Sequence, residues 1–311
     1  MTSMRIVSLI ASSTEIVCAL GMEEFLVGRS HECDYPPSVE RLPVCTAPKF
    51  QTAAASSEID RQVKEILEQA LSVYRVDAKL LESLQPTHII TQTQCEVCAV
   101  SLKDVEEAVE TFVHSRPQIV SLQPNALADV WADIRRVADS LDVHERGRAL
   151  VSQLQARMTA IEKQAKTLPR RRSVACIEWI DPLMASGNWM PELVKMAGGH
   201  NLFGEAGRHS PRLEWIEVVA ANPEVILILP CGFDIARTRQ DLPVLTRKLG
   251  WDDLKAVQEG RVYLLDGNQY FNRPGPRLAE SLEILAEVIH PETFHFGQEG
   301  IGWERVRRKL N

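Results

Sequence analysis

Two stretches of this chain stop a helix in the same way and follow it with the same kind of strand. Leu81-Glu-Ser-Leu-Gln-Pro86-Thr-His-Ile-Ile and Val219-Ala-Ala-Asn-Pro223-Glu-Val-Ile-Leu-Ile each pass from helical spacing through a proline into an apolar run. Proline lacks an amide hydrogen and disfavours helical backbone just before it, so each helix has to end there. The runs that follow are short, as strands buried on both faces of a parallel sheet are.

The elements around these junctions recur in matching order. The first half reads as a strand at 5–10 and a helix over 16–20. Ser12-x-x-Glu15 reads as a capping box opening that helix, and Gly21 as its close. A strand at 25–28, a helix over 59–71 behind Ser57, a short helix over 80–84, a strand at 88–91, a helix over 101–112 and a strand at 118–122 follow. The second half reads as a strand at 173–178, helices over 190–196 and 213–221, strands at 225–229 and 261–265, and a helix over 276–289. Between them, Trp131, Ile134, Val137, Ala138 and Leu141 keep one helical face. Leu150, Leu154, Met158, Ile161, Ala165 and Leu168 keep another, over 144–167, which at 1.5 Å per residue spans about 36 Å. The expected fold is therefore α/β: two small α/β lobes joined by one long rigid helix, with a ligand cleft between the lobes. Its parts would be an N-terminal lobe at 1–125, connecting helices at 126–168, and a C-terminal lobe with a tail at 169–311.

A chain of 311 residues is long enough for two cores, and its 45% hydrophobic and 25% charged residues are globular proportions. The net charge of -7 argues against nucleic acid, which needs a basic face. The cluster Arg170-Arg171-Arg172 reads as a solvated linker. No run approaches the ~18–20 apolar residues of a membrane span, so no insertion is expected. The first residues lead straight into a strand without the charged, apolar and small-residue regions of a signal peptide. Seven scattered cysteines, an odd number, suggest a reducing compartment. Together these predict a cytoplasmic monomer; a periplasmic location would require that a signal peptide had been removed.

Parallel α/β sheets bind ligands beyond the carboxyl ends of their strands. The loops at those positions hold Tyr35, Trp179, Trp189, Phe233, Tyr270 and Phe271, although aromatic residues are only 6% of the chain. That concentration suits a large, flat, partly apolar ligand, with Ser13 and Arg273 as polar contacts. Trp189 follows the turn Gly187-Asn188 and is expected to present its indole, exposed when no ligand is bound, as the strongest anchor. Cys95-Glu-Val-Cys98 can be read three ways: a redox pair, part of a metal site completed by His31 and Cys33 that would take zinc or iron, or small reduced side chains lining the cleft. No nucleophile elbow, phosphate loop, zincin helix or dinucleotide fingerprint is present, and the chain reads as a binder rather than an enzyme. A thiol or metal enzyme built on His31, Cys33, Cys95 and Cys98 is the reading from another class.

Several motifs carry a family resemblance. They are Ser13-Thr-Glu-Ile-Val-Cys-Ala-Leu-Gly21, Ser30-His-Glu-Cys-Asp-Tyr-Pro36, Thr91-Gln-Thr-Gln-Cys-Glu-Val-Cys98, Glu178-Trp179, Trp189-Met-Pro-Glu-Leu193 and Gly267-Asn-Gln-Tyr-Phe-Asn-Arg-Pro-Gly-Pro-Arg277. Over about 5–291 the chain resembles the class III, helical-backbone substrate-binding proteins of ABC transporters, and most of all their cobalamin-binding subgroup. The resemblance implies two lobes bridged by one helix and a corrinoid such as cobalamin held by aromatic stacking and side-chain amides. Haem or a ferric chelate is the alternative ligand. The role would be that of a carrier, a sensor or the substrate-binding component of a transporter. Family members that deliver to a permease dock through a surface glutamate on each lobe, about seven residues before the helix-stopping prolines. Lys79 and Ile216 stand there, with Glu82 and Glu217 close by, which weighs against delivery to a permease.

Overall fold

A computed structural model describes residues 4–68, 73–93, 102–112 and 114–307. The chain forms two compact units. The first takes the chain through Ala54, then Glu58–Pro124 and Ala128–Gln153; the second takes Ala55–Ser57, Asn125–Leu127 and the chain from Leu154 onward.

The first unit is built on β1 (Ile6–Ser8), α1 (Ala11–Ala19), β2 (Leu26–Arg29), β3 (Thr46–Pro48), α2 (Ser56–Glu68), β4 (Tyr74–Val76), α3 (Ala78–Leu84), β5 (His88–Gln92), α4 (Leu102–Phe112), β6 (Gln118–Leu122) and α5 (Leu127–Ser140). Its main sheet has the order β2-β1-β5-β6 and is parallel throughout. Strands β3 and β4 form a separate antiparallel pair. Ile6, Val7, Ile89 and Ile90 are fully buried in the sheet, and Ile16, Val17, Leu81, Ile134 and Val137 cover it from the helices.

Helix α6 (His144–Lys166) is shared by the two units. Its first turn is tied to the first unit by the Arg146 guanidinium, which donates to the carbonyls of Leu20 and Gly21 at 3.2 Å each. Farther along, Arg157 grips Glu280 and Glu283 of the second unit at 2.9 and 2.7 Å. Val151, Leu154, Met158, Ile161 and Ala165 form its buried stripe. The expected two-lobed α/β architecture with one long helix is thus observed.

The second unit comprises β7 (Arg172–Trp179), β8 (Met184–Ala185), α7 (Met190–Met196), β9 (Gly199–Asn201), α8 (Trp215–Ala221), β10 (Val225–Ile228), α9 (Ile235–Thr246), α10 (Lys255–Gln258), β11 (Val262–Leu265), α11 (Leu278–Ile289) and β12 (Trp303–Arg305). The sheet order is β12-β11-β10-β7-β8, with β9 also on β7. Strands β7, β9, β10 and β11 run parallel, and β8 and β12 are antiparallel edges.

The repeated junction is visible in the backbone. Helix α3 ends on Gln85 (φ 45°) and α8 on Asn222 (φ 43°), each left-handed and each followed by the proline. The strands that follow, β5 and β10, are interior strands of their sheets. Gly21 closes α1 as expected: at φ 71° it lets Met22 donate back to the Val17 carbonyl at 3.0 Å.

One local expectation fails. Ser12 does not cap α1, which already begins at Ala11 with no side-chain cap. The nearby hydroxyls are engaged elsewhere, Ser13 Oγ lying 2.5 Å from Ser8 Oγ and donating to the Ile10 carbonyl at 3.0 Å. Burial of the whole first turn, rather than a cap, starts this helix.

The C-terminal segment was not legible as structure, and one buried carboxylate organises it. Glu287 Oε1 and Oε2 accept from the amides of Phe296, Gly297 and Gln298 at 2.9–3.1 Å and from the Trp303 indole at 2.9 Å. Removing a buried charged acceptor leaves each donor unsatisfied. Glu287→Ala is expected to lower unfolding free energy by about 3 kcal/mol, read by urea denaturation.

Candidate functional site

In the first unit, the carboxyl ends of β1 and β2 meet the β3–β4 pair in a network of small polar side chains. Thr14 Oγ1 lies within hydrogen-bond distance of both Ser8 Oγ, at 2.7 Å, and Cys33 Sγ, at 2.9 Å. The Thr46 hydroxyl donates to Ser30 Oγ at 3.0 Å and lies 2.8 Å from His31 Nδ1; it also accepts the His31 amide at 3.1 Å. Tyr74 packs its ring against His31 with centroids 5.3 Å apart. Burial, reinforced by the nearby Arg29 charge, lowers the His31 pKa to about 4, so the imidazole is neutral at physiological pH.

In the second unit, the loops after β7, β10 and β11 converge. Trp179, at the end of β7, lies against Phe233, which follows β10, with centroids 5.2 Å apart. The Arg237 guanidinium sits 4.2 Å from the Phe233 ring. After β11 the chain makes one π-helical turn, Gly267–Phe271, begun by Asp266, whose carboxylate accepts the amides of Asn268 and Gln269. A side chain at Gly267 would place its Cβ 2.1 Å from the Pro230 carbonyl oxygen, so only glycine lets β10 and this turn approach so closely. Asn272 Nδ2 ties the turn to the Leu229 carbonyl at 3.1 Å. Arg277 covers the Tyr270 ring at 5.3 Å, and Arg273 donates to Asn268 Oδ1 at 3.0 Å. Burial raises the Glu178 pKa against the hydrogen bond that Ser210 Oγ gives it at 2.6 Å.

The predicted residues fall into distinct groups. Tyr35 is 42% exposed, and Trp179 and Tyr270 are half-buried, so all three present surface. Phe233 and Arg273 are buried but border these rings and loops. Ser13 and Phe271 are interior. Trp189 departs from expectation: it is 5% exposed and its indole N–H donates to the Phe271 carbonyl at 3.0 Å. The reason lies in the preceding turn. Asn188, at φ 52°, is pinned by its amide to the Arg208 carbonyl at 2.6 Å, and the chain then turns the indole inward.

Of the four residues considered for a metal, Cys95 and Cys98 lie outside the described residues. Cys33 is buried, with Thr14 on its sulfur. Among the described residues, no three or more His, Cys, Asp or Glu side chains are placed to hold a metal ion. Sequence reasoning missed Thr46, Tyr74, Arg237 and Ser210, which reach their partners only through tertiary contacts; no local motif marks them.

The sequence profile of the periplasmic binding protein family matches residues 6–269. This chain belongs to that family, as the motifs implied, and is a substrate-binding protein rather than an enzyme. Among curated relatives, the uncharacterized ABC transporter substrate-binding lipoprotein YvrC of Bacillus subtilis (strain 168) is 22% identical over 93% of this chain and 81% of its own length. A vitamin B12-binding protein of Vibrio vulnificus (strain CMCP6) is 21% identical over 91% and 89%. Among solved structures, the periplasmic heme-binding protein RhuT of Roseiflexus sp. RS-1 superposes with a TM-score of 0.69 at 23% identity, covering 94% of this chain and 99% of its own. The periplasmic vitamin B12-binding protein BtuF of Vibrio cholerae does so with 0.63 at 20% identity, covering 92% and 96%.

These relatives overturn the cytoplasmic expectation: the family and the relatives named are periplasmic proteins or lipoproteins. The cysteine argument failed for a physical reason. Cys33, Cys45 and Cys176 are buried free thiols, and burial pushes Cys45 and Cys176 up to about 12. Thiols shielded in this way resist oxidation without a reducing compartment.

Two outcomes follow. Trp189→Ala should cost about 3 kcal/mol through a cavity and an orphaned carbonyl, lowering the melting temperature with or without ligand. Separately, His31 is neutral when folded and titrates at 6.5 in the unfolded chain, so the unfolded state binds more protons between these values. Its contribution is fully present above pH 6.5 and is lost as pH falls toward about 4. After solvent screening the loss should be about 2 kcal/mol. Urea unfolding at neutral pH and near pH 4, compared with His31→Gln, checks it: the variant should lack this component.

Proposed function

We propose that this protein captures a corrinoid on the loops beyond the carboxyl ends of its parallel strands and serves as the substrate-binding component of an ABC importer. The observation that carries the reading is the half-buried Trp179 indole seated on Phe233, with Arg237 behind it. Paired aromatic rings with a guanidinium at a strand end suit a broad, partly apolar ligand. The vitamin B12-binding relatives support a corrinoid, and the heme-binding neighbour keeps haem as the second reading. A permease partner is favoured by the transporter relative, although Lys79 and the 70% exposed Ile216 stand where docking glutamates were expected.

Aquacobalamin, ferric haem and a ferric siderophore, each titrated against the purified protein by tryptophan fluorescence, separate the readings. Tight binding of aquacobalamin alone is expected. Trp179→Ala should weaken it about thirtyfold, the cost of losing an aromatic anchor of roughly 2 kcal/mol, while its melting temperature changes little. Preference for ferric haem would replace the corrinoid, and binding of none of the three would remove the reading.

A further inference from the structure

We propose that Glu178 is a specificity-determining residue of the second unit, which binds as the neutral acid and donates its Oε2 hydrogen to a carboxamide oxygen of the ligand. The inference rests on the reading above, that a corrinoid settles on the rings at these strand ends, and adds to it one named donor and a pH dependence.

An irregularity in the strand places Glu178. Ile177 pairs with Ala185 and Trp179 with Met184, so Glu178 is the extra residue of a bulge between β7 and β8. A bulge re-aims a side chain at a strand end. The Glu178 carbonyl accepts the Cys231 amide at 3.2 Å, which ties it to the loop that carries Phe233, and Trp179 is the next residue. Its carboxyl meets two hydroxyls of the same unit. Ser210 Oγ accepts the Gly187 amide at 3.1 Å and gives its own hydrogen to Glu178 Oε1 at 2.6 Å. Ser186, fully buried, lies close enough to lower the carboxyl pKa, yet its hydroxyl has no hydrogen-bond partner. The segments that carry these hydroxyls are pressed together. A Cβ at Gly187 would stand 2.4 Å from the Arg208 carbonyl oxygen, and one at Gly204 2.2 Å from that of Ser186.

Among the described residues no cation answers this carboxyl. Burial pushes its pKa up, and the two hydroxyls offset that only in part. Cys176, on the same strand, is neutral because burial pushes it up to about 12. Asp181, Glu205, Arg208, His209 and Asp234 are exposed on the flanking loops, and Asp266 is held by the amides of Asn268 and Gln269. None of these groups shifts the Glu178 carboxyl. A carboxylate without a counter-ion is costly in such surroundings, and the acid is the cheaper form. With Oε1 accepting from Ser210, the hydrogen of the acid is on Oε2. Oε2 and the Ser186 hydroxyl then offer two hydrogens, and a carboxamide oxygen, uncharged and with two lone pairs, accepts both. The periphery of a corrinoid carries such carboxamides. No covalent bond changes, and the proton stays on Glu178.

The test titrates cyanocobalamin against the wild-type protein over a pH series by tryptophan fluorescence, and counts protons taken up on binding in weakly buffered solution. Because the acid is the binding form, affinity should be constant below the Glu178 pKa and fall about tenfold per pH unit above it, where about one proton is taken up per ligand bound. Glu178→Gln keeps a donor and carries no charge, so it should hold the affinity of the acid form at every pH. Glu178→Ala should bind about tenfold more weakly than wild type in acid, the scale of one hydrogen bond. Wild-type affinity that does not change with pH, with no proton uptake, overturns the inference while the binding function stands. A Glu178→Gln profile that keeps the wild-type slope does the same. Should that variant fail to fold, the proton count on the wild type still decides. Binding of ferric haem, which has no carboxamide, without binding of cyanocobalamin overturns the inference together with the corrinoid reading. Binding of neither overturns the binding function as well.

Discussion

Everything in this fold is hung on a helix that cannot continue. At Gln85-Pro86 and Asn222-Pro223 the backbone turns left-handed and meets a residue with no amide hydrogen, so the chain has to leave the helix and start a strand. The chain then enters each sheet with the same bond: the Thr87 amide to the Arg5 carbonyl at 2.8 Å, and the Glu224 amide to the Ser173 carbonyl at 3.1 Å. Those contacts set β5 beside β1 and β10 beside β7. Once an interior strand is placed, the parallel neighbours on both sides have little freedom of register, because a slip by one residue would expose an apolar face.

Parallel strands buried on both faces leave their ends as the only places where polar chemistry is tolerable. The two units use that allowance differently. The first fills its strand ends with hydroxyls, a thiol and an imidazole that satisfy one another: Ser8, Thr14, Ser30, His31, Cys33 and Thr46. The second places aromatic faces and guanidinium groups there: Trp179, Phe233 and Tyr270, with Arg237 and Arg277 over the rings. The two units therefore present unlike strand ends, one suited to directed polar bonds and one to aromatic contacts.

The sequence made the scaffold legible because its rules are local. Proline stops, Gly21 as a helix close, and apolar runs such as Val225-Ile-Leu-Ile depend on neighbours along the chain, and β6 and α7 lie at the expected residues. Sites are set by distant partners. The inward turn of Trp189 depends on the Arg208 carbonyl and its indole bond on Phe271, neither nearby in sequence. Ser12-x-x-Glu15 looked like a cap because the motif is local, and lost to tertiary burial of the helix start. The turn at Gly267 is the intermediate case: its motif was recognised, but the need for glycine comes from Pro230, on another strand end.

The same distinction explains why cysteine arithmetic misjudged the compartment. Counting thiols treats each as available to the solvent redox pool, yet reactivity belongs to the exposed thiolate. Cys176 sits within β7 and Cys45 beneath Arg29 and the start of β3, both withdrawn from water and with pKa values pushed up to about 12. Cys33 is closed off by Thr14. These side chains behave as small apolar residues that fill gaps at strand ends, and such a residue says nothing about where a protein lives. His31 is the contrasting case two residues before Cys33, for there the side chain keeps 21% of its surface. The partners differ as well, the Thr14 hydroxyl lying against the sulfur in one and the Thr46 hydroxyl against Nδ1 of the imidazole in the other.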